Sequence, residues 1–73
     1  MAEKIMAPLS GKVIKIDVEA GASVEEDGEI LTIEAMKMET LVYAPCNGTI
    51  TEIRVKVGNE VEEDDVLALI EAG

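Results

Sequence analysis

Histidine, phenylalanine and tryptophan are absent from this 73-residue chain, and tyrosine and cysteine occur once each. Without histidine, and with Cys46 as the lone thiol, there is no Ser–His or Cys–His pair for nucleophilic catalysis and no nitrogen- or sulfur-rich zinc site. One cysteine cannot make an internal disulfide, so nothing argues for an oxidising compartment and a cytoplasmic location is expected. No apolar run approaches the roughly 20 residues needed to cross a bilayer, and Met1-Ala2-Glu3-Lys4 carries no apolar signal region, so direct membrane insertion is not expected. Positive charge is scarce as well. Six Lys and Arg against 16 Asp and Glu give a net charge of −10, a surface that repels phosphate backbones and anionic lipid, so nucleic acid is not an expected partner. These absences exclude most catalysis and leave a binding, carrier or structural module, with no catalytic and no metal-ligating residues assigned.

What remains is aliphatic. The chain is 48% apolar, and Val and Ile far outnumber Leu, which favours strands because β-branched side chains fit a pleated surface. Residues 1–73 are the length of one small domain.

The sequence repeats itself. Shifted by 37 residues, Ala7-Pro8 falls on Ala44-Pro45, Gly11 on Gly48, Gly21 on Gly58, Val24 on Val61, Glu25-Glu26-Asp27 on Glu62-Glu63-Asp64 and Ile33-Glu34 on Ile70-Glu71. A match this dense marks two copies of one structural unit. Each copy reads as a Pro-x-x-Gly turn, a strand (Lys12–Val18 or Thr49–Val57), a glycine turn, a short apolar touch, an acidic turn and a second strand (Glu29–Glu34 or Val66–Ile70). The apolar phase slips midway through the first strand of both copies, from Val13 to Ile16 and from Ile50 to Ile53, which predicts a β-bulge at equivalent places. Many short strands separated by turns indicate an all-β sandwich or barrel of two pseudo-symmetric hairpin units. The expected core is Val13, Ile16, Val18, Ile33, Ile50, Ile53, Val55 and Ile70. The acidic runs lack calcium-loop spacing and read as solvated turns, and Asn47-Gly48-Thr49 reads as a turn.

One segment breaks the local rules. Ile30 to Ala44 contains no Gly, Pro, Asn or Asp. Propensity favours a helix over Glu34 to Leu41, whereas the repeat demands two strands and a reversal near Met36-Lys37. Two-residue reversals usually need Gly or Asn for positive φ, and such violations cluster at functional sites. The spacing therefore puts Lys37 at a hairpin tip between two exposed thioethers, Met36 and Met38. The repeat also predicts that Lys37 and the termini lie at opposite ends of the domain, roughly 30 Å apart for a chain of this size.

Glu34-Ala35-Met36-Lys37-Met38-Glu39 resembles the biotin attachment motif, with core Ala35-Met36-Lys37-Met38. The resemblance extends over the whole chain, through the Ala-Pro pairs and paired glycines, to the biotinyl domains of biotin-dependent carboxylases, transcarboxylases and decarboxylases. It implies a flattened barrel-sandwich of two four-stranded antiparallel sheets, with biotin on the Lys37 amine and Ala35, Met36 and Met38 as motif flanks. The implied partners are a biotin–protein ligase, a biotin carboxylase, and carboxyltransferase or decarboxylase subunits, with CO2 carried between their sites. The two halves align without a gap, so the thumb insertion of some bacterial acetyl-CoA carboxylase carriers is not expected. A lipoyl carrier domain of a 2-oxoacid dehydrogenase shares the fold but typically has Asp-Lys where this chain has Met36-Lys37. An unmodified structural hairpin domain is the third alternative.

Overall fold

A computed structural model describes residues 2–73, folded into eight strands with no helix among them: β1 Ala2–Met6, β2 Gly11–Ile16, β3 Ser23–Val24, β4 Glu29–Ala35, β5 Met38–Tyr43, β6 Gly48–Ile53, β7 Glu60–Val61 and β8 Val66–Ala72. They form two four-stranded sheets, ordered β1-β8-β6-β3 and β5-β4-β2-β7, and every pairing is antiparallel. The 37-residue shift turns one order into the other. The registers obey it too: Val13 pairs with Ile33 as Ile50 pairs with Ile70, and Gly11 pairs with Val61 as Val24 pairs with Gly48. The halves do not pack as separate hairpins. Each sheet takes two strands from each half, so neither half has a sheet of its own and the two must fold together.

The expected bulges are present at equivalent positions. The ladder slips between Val13 and Lys15 in β2 and between Ile50 and Glu52 in β6, leaving Ile14 and Thr51 without partners. An extra residue restores the apolar phase, so Val13 and Ile16 can both serve the core side. Both strands end sooner than expected. Val18 and Val55 lie outside β2 and β6; just past the strand ends Asp17 N–H donates to Ile30 C=O and Arg54 N–H to Leu67 C=O, each 2.8 Å. Turns follow at Gly21 and Gly58, whose φ values of +95° and +98° suit glycine. The short apolar touches at Val24 and Val61 become two-residue edge strands.

The acidic turns are tied down through their backbones. Asp27 N–H donates to Ala44 C=O and Ala44 N–H to Gly28 C=O; Asp64 and Ala7 repeat this, with Ala7 N–H donating to Asp65 C=O. Ala7 and Ala44 are buried, so the Ala-Pro pairs are seats for these turns while the carboxylates face water.

The core is wider than the alternation suggests. Val13, Ile33, Ile50 and Ile70 are fully buried as expected, while Ile16, Val18, Ile53 and Val55 are partly buried and pack against them. Ile5, Ile30, Leu31, Val42, Val61, Leu67 and Ala68 join the buried set. Ile30 escapes the period-two pattern because β4 slips against β5 between Glu29 and Leu31. Thr32 is buried on the other face, beside Lys15 and Leu41 in the adjacent strands, and no described buried side-chain polar atom lacks a hydrogen-bond partner.

Candidate functional site at the β4–β5 hairpin tip

Strands β4 and β5 stay in register up to Glu34 opposite Glu39 and Ala35 opposite Met38. Only Met36 and Lys37 remain to reverse the chain, and their φ values are +53° and +66°. Positive φ at both central residues defines a type I′ turn, whose twist matches that of the flanking strands. The helix expected from propensity over Glu34 to Leu41 does not form. Ile30, Leu31 and Ile33 must be buried in a sheet, and tertiary burial outweighs propensities of less than about 1 kcal/mol per residue. The cost moves into the turn, where two side-chain-bearing residues adopt a conformation that glycine and asparagine adopt more easily.

Lys37 is exposed at the apex, and no described acidic group pairs with its ammonium. Met36 is 94% exposed and Met38 70%. Ala35 is half-buried below them, and opposes Met38 on the side of the sheet that carries Ile33 and Val13. The four motif residues are thus gathered at the hairpin tip, where the exposed Met36 and Met38 flank Lys37 in the chain as an apolar collar. Below the collar runs an outward-facing row that sequence reasoning passed over: Glu39, Glu34, Lys12 and Glu60, adjacent across β5, β4, β2 and β7. Finding it required the register of β7, which no sequence pattern supplies.

The tip lies far from the C-terminus. The body measures 35 × 17 × 17 Å. β5 leads away from the turn to Tyr43, residues 45–47 round the far end, Gly48 pairs with Ala72, and Gly73 N–H donates to Asn47 C=O at 3.1 Å. Met1 lies outside the described residues; Ala2 pairs with Glu71 in the neighbouring strand. At that same far end the Cys46 thiol donates to the Glu3 carboxylate at 3.3 Å. This bond, with desolvation and the charges of Glu3 and Glu26, raises the thiol pKa above its ordinary value. No group of three or more metal-ligating side chains exists among the described residues, and they contain no helix long and apolar enough to cross a membrane.

A protein-family model described as "Biotin-requiring enzyme" matches residues 3–70. Among curated proteins, the propionyl-CoA carboxylase alpha chain of Ruegeria pomeroyi is 42% identical over 41 residues, 56% of this chain and 6% of its own. The mitochondrial methylcrotonoyl-CoA carboxylase subunit alpha of Oryza sativa subsp. japonica is 45% identical over 38 residues, 52% of this chain and 5% of its own. Among solved structures, the urea carboxylase of Kluyveromyces lactis superposes with TM-score 0.91 at 34% identity, covering 97% of this chain and 6% of that one. A single-chain, multi-domain long-chain acyl-CoA carboxylase superposes with TM-score 0.93 at 25% identity, covering 99% and 7%. The chain belongs to the biotin-requiring enzyme family, as a carrier-type domain similar to those within these carboxylases. It spans less than a tenth of the length of each of these relatives.

Proposed function

We propose that the Lys37 amine carries biotin in amide linkage, and that the domain ferries CO2 between a biotin carboxylase or decarboxylase site and a carboxyltransferase site. The observation that carries this reading is the exposed, unpaired lysine at the apex of a strained two-residue turn, at one end of an elongated body. The residues fit the group. The amine has no competing ion pair among the described residues, and nothing buried needs to move for an acyl chain to be attached. A biotin–protein ligase supplies the activated carboxyl; the Lys37 nitrogen attacks it, the amide bond forms, and the activating group leaves with a proton. Loss of the ammonium makes the net charge one unit more negative than −10.

When bound, biotin supplies a ring nitrogen that takes up and gives back a carboxyl group. The protein's residues hold the tether. Met36 and Lys37 fix the direction in which the amine leaves the sheet, Ala35 keeps the base of the turn small, and Met36 and Met38 present an apolar contact to partner sites. The body raises the local concentration of the tethered group at two catalytic centres that it does not itself contain. Residues 1–73 are taken as one carrier domain working in the cytoplasm. Intact-mass measurement after co-expression with a biotin–protein ligase tests the reading: the expected result is a gain of one biotin, mapped to Lys37. A gain of one lipoyl group would reassign the domain to the oxidative class of carrier, and no modification would leave it a structural unit.

A further inference from the structure

We infer that Met36 and Met38 are a reversible oxidation site, and that their sulfoxides impair use of the tip by its partners; this rests on the biotin reading of Lys37. The observation is a contrast within one molecule. Methionine ordinarily fills core gaps, yet here two thioethers stand 94% and 70% exposed on either side of the amine, while Met6, paired with Val66 in a strand, is 48% exposed. Nothing in the fold requires them. They add nothing to the buried core, and Met36 occupies a positive-φ position that an unbranched apolar side chain does not favour. Their apolar surface is therefore available to partners and equally available to oxidants.

The chemistry is a two-electron oxidation by a hydroperoxide. The sulfur lone pair attacks the distal peroxide oxygen, the S–O bond forms as the O–O bond breaks, and the leaving oxygen takes up a proton, giving water when the oxidant is hydrogen peroxide. Sulfur is oxidised and peroxide reduced. The product is polar and chiral where the thioether was flexible and apolar, and thiol-dependent methionine sulfoxide reductases reverse the change. The competing nucleophile, Cys46, is partly buried and held as the thiol by Glu3, so it has less of the thiolate that peroxide attacks.

The test treats the unmodified chain with limiting hydrogen peroxide and follows peptide-resolved mass. Met36 and Met38 should each gain one oxygen before Met6 does; oxidation of Met6 first would remove the exposure argument. The oxidised chain is then offered at low concentration to a biotin–protein ligase, and the loaded product to a biotin carboxylase with ATP and labelled bicarbonate. Loading or label uptake per biotin should fall about tenfold, the scale set by placing an unpaired polar group in an apolar contact. Treatment with methionine sulfoxide reductases, which do not act on cysteine oxides, should restore it. A Met36→Leu, Met38→Leu chain, compared with itself before and after peroxide, should show no change in whichever rate it retains. Equal loading and equal uptake by the oxidised and reduced wild-type chains would overturn the inference. Failure of the reduced chain to accept biotin would instead overturn the reading on which it rests.

Discussion

Replacing Met36→Asn and Lys37→Gly together should stabilise the fold while abolishing attachment at position 37. Both residues sit at positive φ, where an L-residue costs about 1–2 kcal/mol relative to the right-handed region. Glycine escapes that penalty, and asparagine escapes part of it through local hydrogen bonding; Asn-Gly is the preferred pair for this turn type. Against the gain stands the extra freedom of glycine in the unfolded chain, about 0.5–1 kcal/mol. Burial contributes nothing to the difference, because Met36 is 94% exposed and Lys37 is exposed as well. The net expectation is about 1 kcal/mol of added stability, or an increase in Tm of about 4–8 °C for a domain of this length. Urea unfolding of both chains, monitored by far-UV circular dichroism, measures it. The midpoint should rise at unchanged m, since the surface exposed on unfolding is nearly the same. An unchanged or lower midpoint would refute the reasoning, because the turn would then carry no strain for asparagine and glycine to relieve.

Lys37→Arg keeps the charge but removes the acylable primary amine, so biotin incorporation should fall to background while stability stays within about 0.5 kcal/mol; biotin mapped by mass spectrometry to Lys4, Lys12, Lys15 or Lys56 instead would overturn the assignment. Gly48→Ala should cost about 1–3 kcal/mol, because a Cβ there would overlap the Glu71 carbonyl oxygen and come within 3.1 Å of Ala72 Cα, both backbone atoms that cannot swing away; a denaturation midpoint equal to wild type would show that the ladder relaxes. Glu3→Gln should accelerate alkylation of Cys46 by iodoacetamide at a fixed mildly alkaline pH. The carboxylate is the leading cause of the raised thiol pKa, so removing it lowers that pKa and enlarges the thiolate fraction; identical pH–rate curves would show that the contact has no such effect.

The repeat made most of this fold legible. Equivalent bulges at Val13–Lys15 and Ile50–Glu52, the turns at Gly21 and Gly58, and the reversal at Met36-Lys37 all follow from aligning the halves. Propensity alone would have built a helix through the site. The ends of β2 and β6 were not legible, because they are set by where the ladders with β4 and β8 stop, at Ile16 opposite Leu31 and Ile53 opposite Ala68. Nor was the full core. Ile30 hides behind a second register slip, and Ala7 and Ala44 are buried because acidic turns hydrogen-bond to their backbones, an arrangement that an Ala-Pro pair does not announce. At the site, the tip position of Lys37 was legible from the violated turn rule, while the attachment chemistry proposed for it rests on the resemblance of four residues. The charged row below the tip became visible only once strands from both halves stood side by side.

The internal symmetry separates what the fold needs from what it does not. A residue serving only the barrel should have a counterpart serving the same role 37 positions away, and the core does: Val13 and Ile50, Ile33 and Ile70, Ala7 and Ala44 are buried alike. The tip does not. Ala35 corresponds to Ala72, but Met36 corresponds to Gly73, so the first residue of the two-residue turn has no methionine counterpart. The row Glu39, Glu34, Lys12, Glu60 corresponds to Ala2, Glu71, Thr49, Ser23 in the other sheet, where three of four charges are missing although the strands pair identically. Two sheets of the same architecture thus tolerate a charged and a nearly uncharged row in the same place, so pairing does not require the charges beside Lys37. Their role is at the surface, as is that of the two methionines. The barrel provides a rigid end on which an amine, an apolar collar and a set of charges are displayed together, while the opposite end holds Gly73.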